Sequence, residues 1–129
     1  MPTLSKSSLE KLQTCDKRLQ KLFMKVAETY DFTITCGYRG EVEQTEAFRS
    51  GKSKLQFPLS KHNKSPSLAI DAVPYPIDWN DKGRFLHFAG FVLATAKSMG
   101  LEIRCGVDFN GDLNFKNDNF FDAPHFELK

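Results

Sequence analysis

The sequence predicts one α+β domain, and three observations carry this prediction. Apolar residues recur at helical spacing near the N-terminus and again between residues 82 and 99. Short β-rich runs lie between and after these stretches and end near glycine or proline. The chain has 129 residues, 40% of them hydrophobic, which suffices for one buried core. Because neither repeats nor linker-like segments interrupt it, residues 1–129 are expected to form a single domain.

The N-terminal segment is expected to form one continuous helix. Ser7 and Glu10 have the spacing of a capping box. An apolar stripe then continues to about Tyr30, formed by Leu9, Leu12, Leu19, Leu22, Phe23 and Val26. A β-rich run, Phe32–Cys36, follows this helix and ends at Gly37.

The central part of the chain predicts a helix, a strand and a second helix. Residues 41–49 are expected to be helical, with Gly51 as the C-terminal stop. Residues 68–73 predict a strand that prolines 74 and 76 end. Asn80 or Asp81 can cap a long helix over residues 82–99, and Gly100 stops it. Trp79 is expected to be a partly buried anchor where this helix begins.

The C-terminal part predicts two further strands, at residues 101–104 and 125–128. The stretch between them is rich in Asp, Asn and Gly, which is typical of an irregular loop. Within it Asp108, Asn110, Asp112 and Asn114 alternate, as oxygen ligands of Ca²⁺ can. Because the glycine position and the terminal Glu of an EF-hand are missing, a polar surface loop is the favoured interpretation and Ca²⁺ the alternative.

Composition narrows the classes of function. A net charge of +2, with the basic residues spread evenly, argues against a nucleic-acid binder. No window approaches the ~20 apolar residues that a membrane span needs. Residues 2–6 lead into a polar helix without the apolar region of an export signal, so synthesis in the cytoplasm is expected. Cys15, Cys36 and Cys105 form no CxxC pair and are expected to be buried, reduced thiols.

Two stretches, residues 60–74 and 120–128, hold the candidate chemistry. They contain His62, Asp71 and His125, the ligand types that a catalytic zinc takes while keeping a fourth position for water. Asp122, three residues before His125, is the candidate carboxylate for the proton of that water. Zinc follows here from ligand type alone, since other divalent ions can fill a set of two histidines and one aspartate.

These motifs resemble those of the zinc D-Ala-D-Ala carboxypeptidase / L-alanyl-D-glutamate endopeptidase family (M15-type peptidases), especially its small phage endolysins. The shared motifs are Ser-x-His at 60–62, Ala-x-Asp at 69–71 and Asp-x-x-His at 122–125. The segment from Gly37 to Arg39, followed by Gln44, is similar to the family's Gly-x-Arg…Gln segment, and the likeness covers nearly the whole chain. His62 and Asp71 lie two residues farther apart than in the common family motif, so residues 63–67 are expected to bulge as a loop.

The resemblance implies a small antiparallel sheet flanked by helices, the Hedgehog/DD-peptidase-like fold. It implies zinc on the two histidines and Asp71, with Asp122 as general base and then acid. Arg39 is expected to bind a substrate carboxylate or the tetrahedral oxyanion. Gln44 and Ser60 are expected to position the substrate, Ser60 through hydrogen bonds within the site.

The implied function is that of a phage endolysin that cuts the L-Ala–D-Glu bond of peptidoglycan stem peptides during host lysis. The protein is expected to be a monomer, to need a holin-type partner for release from the host cytoplasm to the wall, and to insert into no membrane. One alternative is a D-Ala-D-Ala dipeptidase or carboxypeptidase on the same fold. Another, from a different class, is a non-catalytic zinc-stabilised module that binds the cell wall.

Overall fold

The computed structural model describes residues 4–106 and 124–129. Asp122 and the alternating acids and amides of residues 108–114 lie outside these residues. Of the described helices, none is long and apolar enough to cross a membrane. The described elements are, in chain order, α1 (Lys6–Leu12), α2 (Lys17–Ala27), β1 (Phe32–Cys36), α3 (Glu41–Arg49), a 3-10 helix (Lys61–Asn63), β2 (Ala69–Pro74), α4 (Lys82–Ser98), β3 (Ile103–Cys105) and β4 (His125–Leu128).

The four strands form one antiparallel sheet in the order β1-β2-β4-β3. The last strand of the chain therefore lies between β2 and β3. Its register places His125 directly opposite Asp71 of β2, and Cys36 of β1 lies opposite Asp71 on the other side. Three side chains that are far apart in the sequence thus stand in one row across the sheet.

The hydrophobic core lies between the sheet and the helices. Helix α1 contacts β1, α4 contacts β2 and β3, and α2 packs on α4. Four phenylalanines join these layers with ring centroids 5.4 to 5.8 Å apart: Phe23, Phe32, Phe88 and Phe126. Because successive side chains of a strand point to opposite faces, a core residue such as Phe126 leaves its neighbours His125 and Glu127 on the other face. The predicted α+β architecture with a small antiparallel sheet is confirmed.

The N-terminal segment differs from its prediction, because two helices replace one. Helix α1 ends at Leu12 and α2 begins at Lys17. The expected Ser7 cap is also wrong, since the Ser5 hydroxyl accepts the hydrogen bond from the Ser8 amide at 3.1 Å. The second helix has its own cap, Asp16.

A contact with a distant segment explains this break. The Asp16 amide donates to the Ser67 carbonyl at 2.8 Å, and the Ser67 amide donates to the Thr14 carbonyl at 2.9 Å. These backbone groups therefore pair with the loop before β2 instead of continuing the helix. A helical stripe in the sequence cannot reveal such a partner, because Ser67 lies about fifty residues later.

The other predicted elements agree closely with the structure. Helix α3 has the predicted bounds, β3 begins two residues later than predicted, and Asp81 is the cap of α4. Gly51 and Gly100 follow α3 and α4 with positive φ angles of 82° and 75°, the backbone region that favours glycine after a helix. Trp79 is partly buried, as predicted: its ring stacks on Phe85, and 60% of the residue is exposed.

Candidate metal centre

The three predicted metal ligands converge on the polar face of the sheet. Asp71 Oδ1 lies 3.1 Å from His62 Nε2 and 3.3 Å from His125 Nδ1, and the two imidazole centroids are 5.2 Å apart. The longer spacing between His62 and Asp71 is absorbed locally. The 3-10 helix turns the chain at His62, and the Leu68 amide closes the loop on the Lys61 carbonyl at 3.1 Å.

His62 is oriented by hydrogen bonds on its far side. Its Nδ1 lies 2.8 Å from the Gly37 carbonyl, and because a carbonyl only accepts, Nδ1 carries the proton. Nε2 is then left to face Asp71. Gly37 is itself packed against the end of α1, where a Cβ would lie 2.4 Å from the Lys11 carbonyl oxygen, so a larger residue does not fit there. Ser60, predicted to act within the site, caps the 3-10 helix and accepts from the His62 amide at 3.2 Å.

His125 is oriented in the same manner by a carboxylate. Its Nε2 lies 2.7 Å from Glu127 Oε1, so Nε2 donates and Nδ1 is left to face Asp71. Glu127 in turn accepts from Arg104 Nη2 at 2.9 Å and lies 3.2 Å from Lys61 Nζ. A carboxylate behind a histidine is the usual support of a metal-bound imidazole. Glu127 belongs to none of the sequence motifs, although the strand alternation of residues 125–128 places it on the face of His125.

The electrostatics of the cluster favour a cation. Burial opposes charge on His62, but hydrogen bonds to Asp71 and Cys36 outweigh it and raise the pKa of His62 to about 10. Burial likewise opposes charge on Asp71, yet the two histidines hold the pKa of this carboxyl well below its usual range. In the protein chain alone, the carboxylates therefore attract protons to the imidazoles. A divalent cation would be attracted by the same charges and would displace those protons.

Cys36 is a further potential metal ligand, although the sequence predicted only a buried, reduced thiol at this position. Its sulfur, His62 and Asp71 form a group whose potential ligand atoms all lie within 4.8 Å of one another. The sulfur is 3.7 Å from His62 Nδ1, the nitrogen that already donates to Gly37. Cys36 therefore lies behind His62, whereas His125 faces Asp71 from the opposite strand. Cys15 and Cys105 are buried, as predicted, whereas Cys36 is only half-buried, and no disulfide joins any two of the three cysteines.

Arg39 lies beside the cluster, where the sequence predicted an electrostatic role. Its Nη2 is 3.6 Å from Asp71 Oδ2, and its amide donates to the His62 carbonyl at 2.8 Å. The guanidinium is thus held at the edge of the metal centre. Such a fork can bind a carboxylate or an oxyanion in two places.

Gln44 is completely buried and holds the Arg39 guanidinium through a hydrogen bond. Its Oε1 accepts from Arg39 Nη1 at 3.0 Å and from Asn63 Nδ2 at 3.1 Å. Its Nε2 donates to the Leu55 carbonyl at 2.6 Å. With these bonds inside the chain, Gln44 fixes the guanidinium and ties α3 to the 3-10 helix. Asn63 is a second partner that the sequence analysis did not identify.

A cavity of about 710 Å³ opens over the metal centre, a size typical of sites for small ligands and short peptides. Its described lining carries six cationic side chains against two acidic ones, Asp71 and Glu127. The cations are Arg39, Lys52, Lys54, Lys61, Lys82 and Arg104. Among the described lining residues, this surplus of positive charge favours an anionic ligand.

Comparisons with known proteins show the fold and the family of the chain. The fold is similar to the crystal structure of the Serratia marcescens L-Ala D-Glu endopeptidase ChiX, with a TM-score of 0.77 and 22% identity, covering 98% of this chain and 90% of that one. No curated protein sequence matches the chain. The sequence pattern of the phage L-alanyl-D-glutamate peptidases matches residues 2–129. The chain therefore belongs to the phage L-alanyl-D-glutamate peptidase family, as its motifs predicted.

Proposed function

We propose that this peptidase depends on zinc and hydrolyses the L-Ala–D-Glu bond of peptidoglycan stem peptides, as a phage endolysin in host lysis. The observation that carries the proposal is the convergence of His62 Nε2 and His125 Nδ1 on one oxygen of Asp71. In each imidazole the other nitrogen is already engaged, so both remaining nitrogens point at the same place. This donor set suits zinc.

Each residue of the site would have its own role in the reaction. His62, Asp71 and His125 would hold the zinc, which supplies a Lewis acid and a water that ionises near neutral pH. Arg39, fixed by Gln44, would bind a substrate carboxylate or the oxyanion that forms on the attacked carbonyl. Ser60 supports this site through the 3-10 helix that carries His62.

Asp122 is the proposed general base and acid, on the strength of its place three residues before His125 in the family motif. It would take a proton from the attacking water as the oxygen bonds to the L-Ala carbonyl carbon. It would then deliver the proton to the D-Glu nitrogen as the carbon–nitrogen bond breaks. Hydrolysis thus leaves a free carboxylate and a free amine.

The proposal extends to the setting in which the protein works. Residues 1–129 would form one monomeric peptidase domain that is made in the host cytoplasm. A holin-type partner would release it to the wall in the periplasm. The cationic cavity suits the stem peptide, which carries carboxylates beyond the cut bond.

The deciding experiment measures cutting of purified cell walls stripped of outer membrane. Newly released amino groups are counted for the wild type, for EDTA-treated protein and for Asp122→Ala, while zinc content and circular dichroism confirm that the variant is loaded and folded. Chelation is expected to abolish cutting. Asp122→Ala is expected to slow it by roughly 10²- to 10⁴-fold, the usual contribution of a general base.

Asp118→Ala is the matched control, because this acid lies nearby in the sequence but lacks the spacing to His125. It is expected to cut at the rate of the wild type. Full activity of Asp122→Ala would show that the acid is assigned wrongly. A wild-type protein that binds walls but releases no amines would favour the non-catalytic wall-binding module.

A further inference from the structure

Trp79 forms an exposed aromatic surface that the proposed reaction leaves without a role. Its ring stacks on Phe85 with centroids 5.5 Å apart and an interplanar angle of 21°. Phe85 is a core residue of α4, only 3% exposed, whereas Trp79 is 60% exposed. One face of the indole is thus supported by the core, and much of the residue remains open to a ligand.

The segment that carries Trp79 is held in place by hydrogen bonds on both sides. The Asn80 amide donates to Asp78 Oδ1 at 3.0 Å, and the Asp81 amide donates to the Asp78 carbonyl at 3.1 Å. Arg84 Nη2 donates to the Tyr75 carbonyl at 2.8 Å. With its backbone held by these bonds and its ring stacked on Phe85, Trp79 loses little conformational entropy when a ligand stacks on it.

Trp79 shares its cavity with the metal centre. Both Trp79 and Phe85 line the same cavity as His62, Asp71 and His125. Two exposed aliphatic side chains, Leu55 and Leu59, also line it. Apolar surface in a cavity rich in cations fits a ligand with both apolar faces and polar or charged groups.

The chemistry of the substrate supplies such a ligand next to the cut bond. In peptidoglycan, the L-alanine of the stem is joined through a lactyl ether to the N-acetylmuramic acid ring. A site that cuts directly after this alanine must therefore have a sugar ring close by. The C–H face of a sugar ring can lie flat on an aromatic ring, because the π face is electron-rich.

We propose that Trp79, supported by Phe85, binds the N-acetylmuramyl ring that precedes the L-Ala residue. This inference rests on the proposed function, since it takes the L-Ala–D-Glu bond as the point of attack. The enzyme would then recognise the glycan part of its substrate as well as the peptide part.

A binding measurement without catalysis gives the first test. Trp79 is the only tryptophan of the chain, so its fluorescence reports directly on this surface. The wild type is titrated with N-acetylmuramyl-L-alanine, which lacks the bond to be cut, and with N-acetyl-L-alanine as the sugar-free control. A saturable change in emission is expected with the muramyl compound only. The absence of any change, or an equal change with both compounds, would overturn the inference.

A kinetic measurement gives the second test. The ratio of kcat/KM for an N-acetylmuramyl tetrapeptide to that for the N-acetyl tetrapeptide is compared between the wild type and variants. Trp79→Ala is expected to lower this ratio about fivefold to tenfold, the size of an aromatic stacking contribution. Trp79→Phe should restore part of it.

Phe48→Ala is the matched control, because Phe48 is an exposed aromatic residue of α3 that does not line the cavity. It should keep the wild-type ratio. An unchanged ratio in Trp79→Ala would overturn the inference. A wild type that cuts neither peptide would instead contradict the proposed function, and the fluorescence titration would still decide whether the muramyl ring binds to Trp79.

Discussion

At the scale of single residues, the molecule is organised around Asp71. One of its carboxylate oxygens faces both histidines, and the other lies 3.6 Å from Arg39. The identities of His62, Asp71 and His125 could be predicted from their motifs. The motifs could not predict which nitrogen of each imidazole faces Asp71, because this depends on the hydrogen bonds of the other nitrogens to Gly37 and Glu127.

Glu127 gives a prediction about metal affinity. Glu127→Gln removes the charge that supports His125 Nε2 at 2.7 Å, so zinc affinity is expected to fall about 10- to 100-fold. Competition with a chromophoric chelator measures it, and circular dichroism checks the fold, since Lys61 and Arg104 lose an ionic partner. Glu28→Gln, which changes an exposed acid at the end of α2 that does not line the cavity, should bind zinc as the wild type does. An affinity of Glu127→Gln within twofold of the wild type would refute the supporting role.

At the scale of secondary-structure elements, local patterns predicted α3, α4 and the strands well. Each of these has periodic apolar residues and clear end signals in its own sequence. The N-terminal segment shows the limit of this approach. Its stripe runs through residues 9–26, yet the pairing of Thr14 and Asp16 with Ser67 ends one helix and starts another.

The cap of α2 can be tested through stability. Asp16 accepts from the Arg18 amide at 2.9 Å, so Asp16→Ala is expected to lower the free energy of unfolding by about 1 kcal/mol. Asp16→Asn is the control, because it keeps a capping oxygen without the charge. Urea unfolding at pH 7 measures both variants, and equal stability of Asp16→Ala and wild type would contradict the role of the cap.

Because Asp16 is ionised, its contribution to the stability of the fold depends on pH. The side-chain hydrogen bond from Arg18 lowers the pKa of Asp16, so the folded state holds this carboxylate ionised more readily than the unfolded state does. The resulting stabilisation is present above the usual carboxyl pKa and is lost as the pH falls through the lowered value. In urea unfolding at successively lower pH, the advantage of the wild type over Asp16→Asn should therefore shrink once the pH falls below the usual carboxyl pKa.

At the scale of the whole molecule, the proposed zinc ligands tie together three distant parts of the chain. His62 lies in the 3-10 helix, Asp71 in β2 and His125 in β4. These parts meet only in the folded protein, so a metal bound to all three must stabilise the fold by linkage.

Thermal unfolding with and without zinc tests this link. At a free zinc concentration of 100 times Kd, the stabilisation is ~2.7 kcal/mol, which corresponds to a rise in Tm of roughly 10 °C for a chain of this size. Asp71→Asn should lose most of this zinc-dependent rise whatever its own Tm. A wild-type Tm that does not respond to zinc, or an equal rise in Asp71→Asn, would contradict the proposed ligand set.

The sequence by itself determined the fold class, the kinds of elements, most of their bounds, the family and the candidate ligands. Helical periodicity, strand alternation and motif spacing are local properties, so they can be seen in the chain without its fold. The tertiary structure alone decided the register that sets His125 opposite Asp71 and the support from Glu127 and Gln44. It also decided the break before α2 and the exposed ring of Trp79. The register and the break before α2 depend on partners that lie far away in the sequence. The contacts of Glu127, Gln44 and Trp79 include near neighbours in the sequence, but only the packing of the folded chain sets their geometry.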